Sequence, residues 1–236
     1  TILNQPGETM VLDAHVGGGT NCCAGCAFWT ECPNKTYGDS DYLSVGSQMD
    51  VADWPCYVKI YTAIPLDDLP PGREIISATL TLHQFGNAGG GAWGDAPTSN
   101  VHVLTVAEGW QAGTLTWNNA PLGVQNITVS QVVPLEETPG WPGVPRSWDV
   151  SLVVAQAYAA GEPLRLALYS SDTAYHSSKY FWSTEAGAGG GPILKVQLGH
   201  RLAHIQQTVH PATVISGGVV TYALSEAYGL TKVPFL

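Results

Sequence analysis

The chain has 236 residues, of which only 12% are charged, and its 19 acidic and 9 basic side chains leave a formal net charge of −10. An acidic surface repels nucleic acid and anionic lipid, and no apolar run reaches the roughly 20 residues that a membrane-spanning helix needs. A chain of this length can bury a sizeable core as one large β domain, alone or with an appendage, and charge at about half the usual ~25% favours strands and turns over a helical bundle.

An extended segment is expected around Thr9–Leu12, followed by a glycine- and cysteine-rich loop from Gly17 to Asn34. Four of the five cysteines, Cys22, Cys23, Cys26 and Cys32, fall in that loop, and Cys56 follows later. The pattern reads as a disulfide-stapled loop in an oxidising compartment, with one thiol left over. Zinc is the rival. Cys23 and Cys26 have the right spacing, but the adjacent Cys22 crowds a tetrahedral site, and no second metal-spaced pair follows. Asn34 and Asn126 each begin a glycosylation tripeptide.

Strands are expected at Tyr42–Val45 and Tyr57–Tyr61. Another is expected from Ile75 to His83, where Ile76, Ala78, Leu80 and Leu82 alternate with Ser77, Thr79, Thr81 and His83. A glycine-rich loop holding Trp93 leads to a strand at Val101–Val106. The stretch Trp110–Pro121 carries two tryptophans seven residues apart, Gly113 between them, and the turn formers Asn118 and Asn119. It reads as a strand edge, a turn and a new strand start at Thr114–Trp117, with Trp110 and Trp117 as apolar anchors. Ile127–Val133 is the next strand, and Trp141 sits among Pro139, Pro142 and Pro145. One helix is expected, capped by Asp149 or Ser151, with Leu152, Val153, Ala155, Ala157 and Tyr158 as its apolar contacts. Gly161 and Pro163 end it. Strands follow at Leu164–Ser170, Lys179–Ser183 and Ile193–Leu198. Many short strands with turn signals between them argue an all-β sandwich.

Several motifs occur in a recognisable order. Asn34, Tyr37 and Gly38 precede Leu43–Gly46, and Leu69–Leu82 follows. Then come Trp110 with Thr114–Pro121, Trp148–Ser151, and Phe181–Ala186 before Pro192–Val196. Over about residues 7–198 the chain resembles the DNRLRE-domain family, which includes the family 96 carbohydrate-binding modules. The resemblance implies a secreted, non-catalytic jelly-roll β-sandwich of the kind found in large extracellular proteins and beside polysaccharide-degrading domains. It places Trp110, Trp117, Asn118, Trp148, Asp149 and Glu185 in the framework. The chain departs from the family's pattern in the cysteine loop and at Glu8, where an aspartate is common.

Residues 199–236 form a separate extension. Pro211–Ser225 reads as strand, Gly-Gly turn, strand, and resembles the opening hairpin of DUF11-type Ig-like repeats. Val214, Ile215, Val219, Val220, Tyr222 and Leu224 would give it apolar edges suited to pairing with another chain. The start at Thr1 without methionine or signal peptide fits a processed chain and a piece of a longer one equally.

Candidates for chemistry are few. Of the seven histidines only His200 and His204 are closely spaced, and that spacing makes a metal pair only on a helix. Asp39, Asp41, Asp50 and Asp53 could share calcium, although solvated turn aspartates are the plainer reading. Trp29, Trp54, Trp93 and Trp141 lie outside the matched framework and are the candidates for stacking on sugars or a partner. The expectation is therefore a non-catalytic extracellular subunit that polymerises head-to-tail by strand addition from its tail. The alternative is a carbohydrate-binding module acting through its loop tryptophans. Neither needs nucleic acid, membrane insertion or a cofactor other than calcium.

Overall fold

A computed structural model of the chain describes residues 2–3, 11–17, 32–46, 57–89, 94–172, 177–187 and 189–201. The eleven described strands are β1 (Ile2–Leu3), β2 (Leu12–Gly17), β3 (Tyr42–Val45), β4 (Val58–Ile64), β5 (Arg73–Asn87), β6 (Ser99–Val106), β7 (Gly123–Val132), β8 (Val144–Asp149), β9 (Leu164–Ser170), β10 (Lys179–Trp182) and β11 (Ile193–Arg201). They form two antiparallel sheets. The first runs β1-β11-β5-β10-β3, with β8 on the other side of β5, and the second runs β2-β4-β9-β6-β7. Within this, β3 pairs β10, β4 pairs β9, β5 pairs β8 and β6 pairs β7. Nested pairing of the first strand with the last is the jelly-roll pattern expected from the resemblance.

The sandwich closes because alternate residues face inward. On β5 Ala78, Leu80 and Leu82 are buried while Thr79, Thr81 and His83 turn outward. Ile76 breaks the expected pattern at 50% exposure, because β5 is 15 residues long and overruns the end of the core. Trp148 on β8 packs edge-on against Phe181 and donates its indole N–H to the Val101 carbonyl on β6 at 3.0 Å, tying the two sheets together.

The Trp110–Pro121 stretch differs from the sequence expectation. Thr114–Trp117 is no strand: a 3-10 turn spans Ala112–Thr114 and a further turn follows. The Asn119 side chain accepts from Thr116 N at 2.7 Å and donates to Thr114 O at 2.8 Å, so local bonds take the backbone groups a ladder would use. The stretch lies over the outer face of the second sheet. There Trp110 and Leu115 bury Ala14, Val16, Tyr61, Val106 and Ala167 in a second apolar cluster. Gly17 belongs to this closure. Its φ is +104°, and a Cβ there would stand 1.8 Å from the Tyr57 carbonyl oxygen.

Helix α1 (Ser151–Ala160) follows β8 directly. Neither expected cap takes the N-cap position, which is Val150 and has no side-chain cap bond; Asp149, one residue before it, accepts from Ser151 N at 2.9 Å. Gly161, in the left-handed region, ends the helix, with Glu162 N bonded to Ala157 O. Val153 and Val154 face the core, whereas Leu152, expected to make apolar contact, is 59% exposed. Strand β11 runs on to Arg201, and Arg73 holds the Gly199 carbonyl. A boundary between residues 198 and 199 therefore falls inside a strand.

Candidate functional site

Strand β10 alternates Lys179, Tyr180, Phe181, Trp182. Phe181 belongs to the core, so Tyr180 and Trp182 point away from it, onto the outer face of the first sheet. Phe85 joins them from β5, at the bulge where Tyr180 pairs Gly86 and Phe181 pairs Gln84. The rings form a ladder. Phe85 stacks on Trp182 at 3.8 Å and 15°, Tyr180 lies 6.2 Å from Phe85, and Tyr42 of β3 meets Tyr180 edge-on at 6.1 Å.

Trp141 sits at the open end, 5.4 Å from the Trp182 ring and 55% exposed. It is carried by the turn closed by Gly143 N to Gly140 O. Gly190, on the β10–β11 connection, gives it room: a Cβ there would come within 2.9 Å of Trp141 Cη2 and 3.1 Å of Trp182 Cβ. His83 bonds the Gly190 backbone, and burial holds its imidazole below the usual histidine range. Beyond the aromatics the same face offers hydroxyls, with Thr81 Oγ1 and Ser147 Oγ 2.8 Å apart. An exposed indole buttressed from behind, beside a strip of hydroxyls flanked by Lys195 and Asp149, can stack on an apolar ring face and bond its hydroxyls.

Two buried polar clusters stand apart from this face. Lys179 has no solvent exposure and donates to Pro97 O (2.7 Å), Ser99 Oγ (2.8 Å) and Ser177 O (2.6 Å), while burial pulls its ammonium down to about 8. All three N–H groups are satisfied, as a structural strut requires. At the opposite edge Asp13 and His15 of β2 are buried. His15 stacks on Tyr37 and bonds Tyr42 O through Nδ1 at 3.2 Å, and burial lowers its imidazole to about 4.

The other sequence-derived candidates divide plainly. Asp39 and Asp41 are exposed, and among the described residues no three His, Cys, Asp or Glu side chains converge to hold a metal. His200 lies on a strand, which removes the helical spacing its pairing with His204 needed. Asn34 and Asn126 are both exposed, bonded to Asn118 and His102. Cys32 opens the 3-10 turn Cys32–Asn34. Cys22, Cys23, Cys26, Cys56, Trp29, Trp54, Trp93 and the tail residues Val214, Ile215, Val219, Val220, Tyr222 and Leu224 lie outside the described residues. Sequence reasoning missed the roles of Phe85, Tyr180 and Trp182. The available signal was two aromatics at alternate positions of one strand, either side of a core phenylalanine.

The model of carbohydrate-binding module family 96 matches residues 29–197, well over half of the chain. The chain belongs to that family. The match takes in the whole aromatic ladder, and it confirms the resemblance carried by the ordered motifs, though not the likeness of the tail to DUF11-type repeats. No curated protein matches the chain significantly. For residues 29–197 the family description is that of a binding module rather than a catalytic domain. Among the described residues no helix is long and apolar enough to cross a membrane.

Proposed function

We propose that this family 96 module binds a polysaccharide along the outer face of its first sheet, with Trp141 stacking on a sugar ring. The observation that carries the reading is the half-exposed Trp141 indole, held by Trp182 and Gly190 within a region that belongs to a carbohydrate-binding family. The hydroxyls of Thr81 and Ser147 lie further along the same face and supply polar contacts. The strip carries Lys195 and Asp149 on either side of Thr79, one charge of each sign, and the chain as a whole carries −10, so a neutral glycan fits better than a polyanionic one. The setting is extracellular, where such polymers are met. Affinity electrophoresis through gels containing neutral and acidic polysaccharides tests it. Retardation by a neutral polymer that is lost in Trp141→Ala supports the reading, and migration unaffected by every polymer refutes it.

Head-to-tail assembly, the leading expectation from the sequence, is not supported by the family match. One observation still favours strand addition as a second reading. Strand β7 is the outer strand of its sheet, and Val124 and Val129 on it, with the flanking Leu122 and Val133, are exposed apolar side chains. Sedimentation of the full chain beside a version ending at Arg201 decides it. Two monomers would end the assembly reading.

A further inference from the structure

Asp13 on β2 and Thr62 on β4 are register partners, so they stand side by side with Cβ atoms about 5 Å apart. Both face the interior, on the stripe that carries Ile60 and Ile64 into the core. Asp13 is 1% exposed and Thr62 has no exposure at all. Asp13 Oδ2 accepts the Thr184 amide at 3.1 Å. Asp13 Oδ1 and Thr62 Oγ1 are both closed to solvent, and neither has a hydrogen-bond partner among the described residues, a proton shared between Asp13 and Glu185 aside.

A second carboxylate is brought against Asp13. Ser183 Oγ donates to Ser40 O and accepts from Glu185 N at 3.2 Å, which fixes the turn Thr184–Ala186 at this edge. Burial, and then the charge of Glu185, push the Asp13 carboxyl up to about 8. Among the described residues Glu185 is the charged group that acts on Asp13, and no lysine or arginine offsets it. His15, two residues along β2, is held neutral by burial. A buried carboxylate beside a like charge, with one oxygen unmatched, is costly unless a proton or a cation lies between the two.

We propose that Asp13, Glu185 and Thr62 form a binding site for one calcium-type divalent cation. The donor set is all oxygen: two carboxylates and a hydroxyl, completed by backbone oxygen or water. That suits a hard cation with six to eight ligands at about 2.3–2.6 Å, and it does not suit zinc, which favours nitrogen and sulfur. The cation and the proton compete for the same carboxylate pair, so binding weakens as pH falls. The connection that carries Glu185 also carries Gly190 beneath Trp141, so the ion would stiffen the support of the aromatic ladder.

The test is thermal unfolding of the full chain in EDTA and in calcium chloride, at pH 7.5 and pH 5, beside equilibrium dialysis with radioactive calcium. Calcium at a hundred times its Kd should raise the wild-type Tm by about 5–10 °C at pH 7.5, and by less at pH 5. Asp13→Asn should be at least as stable as wild type in EDTA and should lose the calcium response. Glu185→Gln, at an exposed position, should lose it too, which decides the matter if the first variant does not fold. Asp39→Asn should keep the full response. The proposal is overturned if the wild type shows no calcium-dependent shift and no bound ion, or if Asp13→Asn and Glu185→Gln respond as the wild type does. Glycan retardation is read separately, so failure here leaves the Trp141 reading standing.

Discussion

Replacing Trp141 by alanine removes the most exposed ring of the aromatic ladder and leaves its neighbours in place. At 55% exposure, an indole of about 250 Å² offers roughly 140 Å² to a ligand. A sugar stacking on one face would cover about half of that, roughly 70 Å², worth about 1.7 kcal/mol at ~25 cal/mol per Å². The dissociation constant should therefore rise about 20-fold. Stability should change little, because the ring lies outside the core clusters. Affinity electrophoresis gives the ratio of dissociation constants and urea unfolding gives the control. An unchanged dissociation constant for a polymer that retards the wild type would refute the placement of the sugar on this indole. Loss of binding together with loss of folding would refute the claim that Trp141 is peripheral to the core.

Gly190→Ala should weaken the same binding although the indole is retained, because its Cβ would displace Trp141 and press on Trp182; the polysaccharide gel is again the readout. Trp148→Phe removes the indole bond to Val101 O between the sheets and should cost about 1–3 kcal/mol in urea unfolding. Asn119→Ala removes the two bonds that hold the turn over the second sheet, at about 1–2 kcal/mol by the same measurement. Lys179→Met strands the three acceptors of a buried ammonium, so a loss of at least about 2 kcal/mol is expected. Lys179 also sets a pH dependence. Its folded value is lowered to about 8 from 10.5, so between those values the unfolded chain holds more protons and stability rises with pH. Below about pH 8 both states are protonated and this contribution is flat. Unfolding of wild type and Lys179→Met from pH 7 to 10.5 should show the rise in the wild type alone.

Much of the fold was legible in the sequence because strands announce themselves by alternation. Leu164–Ser170 was found at its exact bounds, and Gly161 ends the helix as its lack of a Cβ allows. Alternation in Ala78, Leu80 and Leu82 fixed which face of β5 turns inward, and the ordered motifs led to the family. Trp110 and Trp117 could be read as anchors because large rings beside turn formers ask for burial, whereas Trp148 was placed in the framework by the family resemblance.

The sites were decided by tertiary structure. Thr114–Trp117 has a strand's composition, yet Asn119 takes its backbone groups and the stretch becomes a cover for the second sheet. Phe85 and Trp182 are 97 positions apart, and only the β5–β10 pairing with its bulge stacks them behind Trp141. In the sequence Asp13 is a lone acidic residue between Leu12 and Ala14, and nothing there singles it out. Pairing with β4 sets it beside Thr62, and the turn after β10 brings Glu185 to it. Local composition and periodicity determine which way a side chain points. Which groups it then meets depends on strand register and sheet packing, set by contacts between residues far apart in the chain.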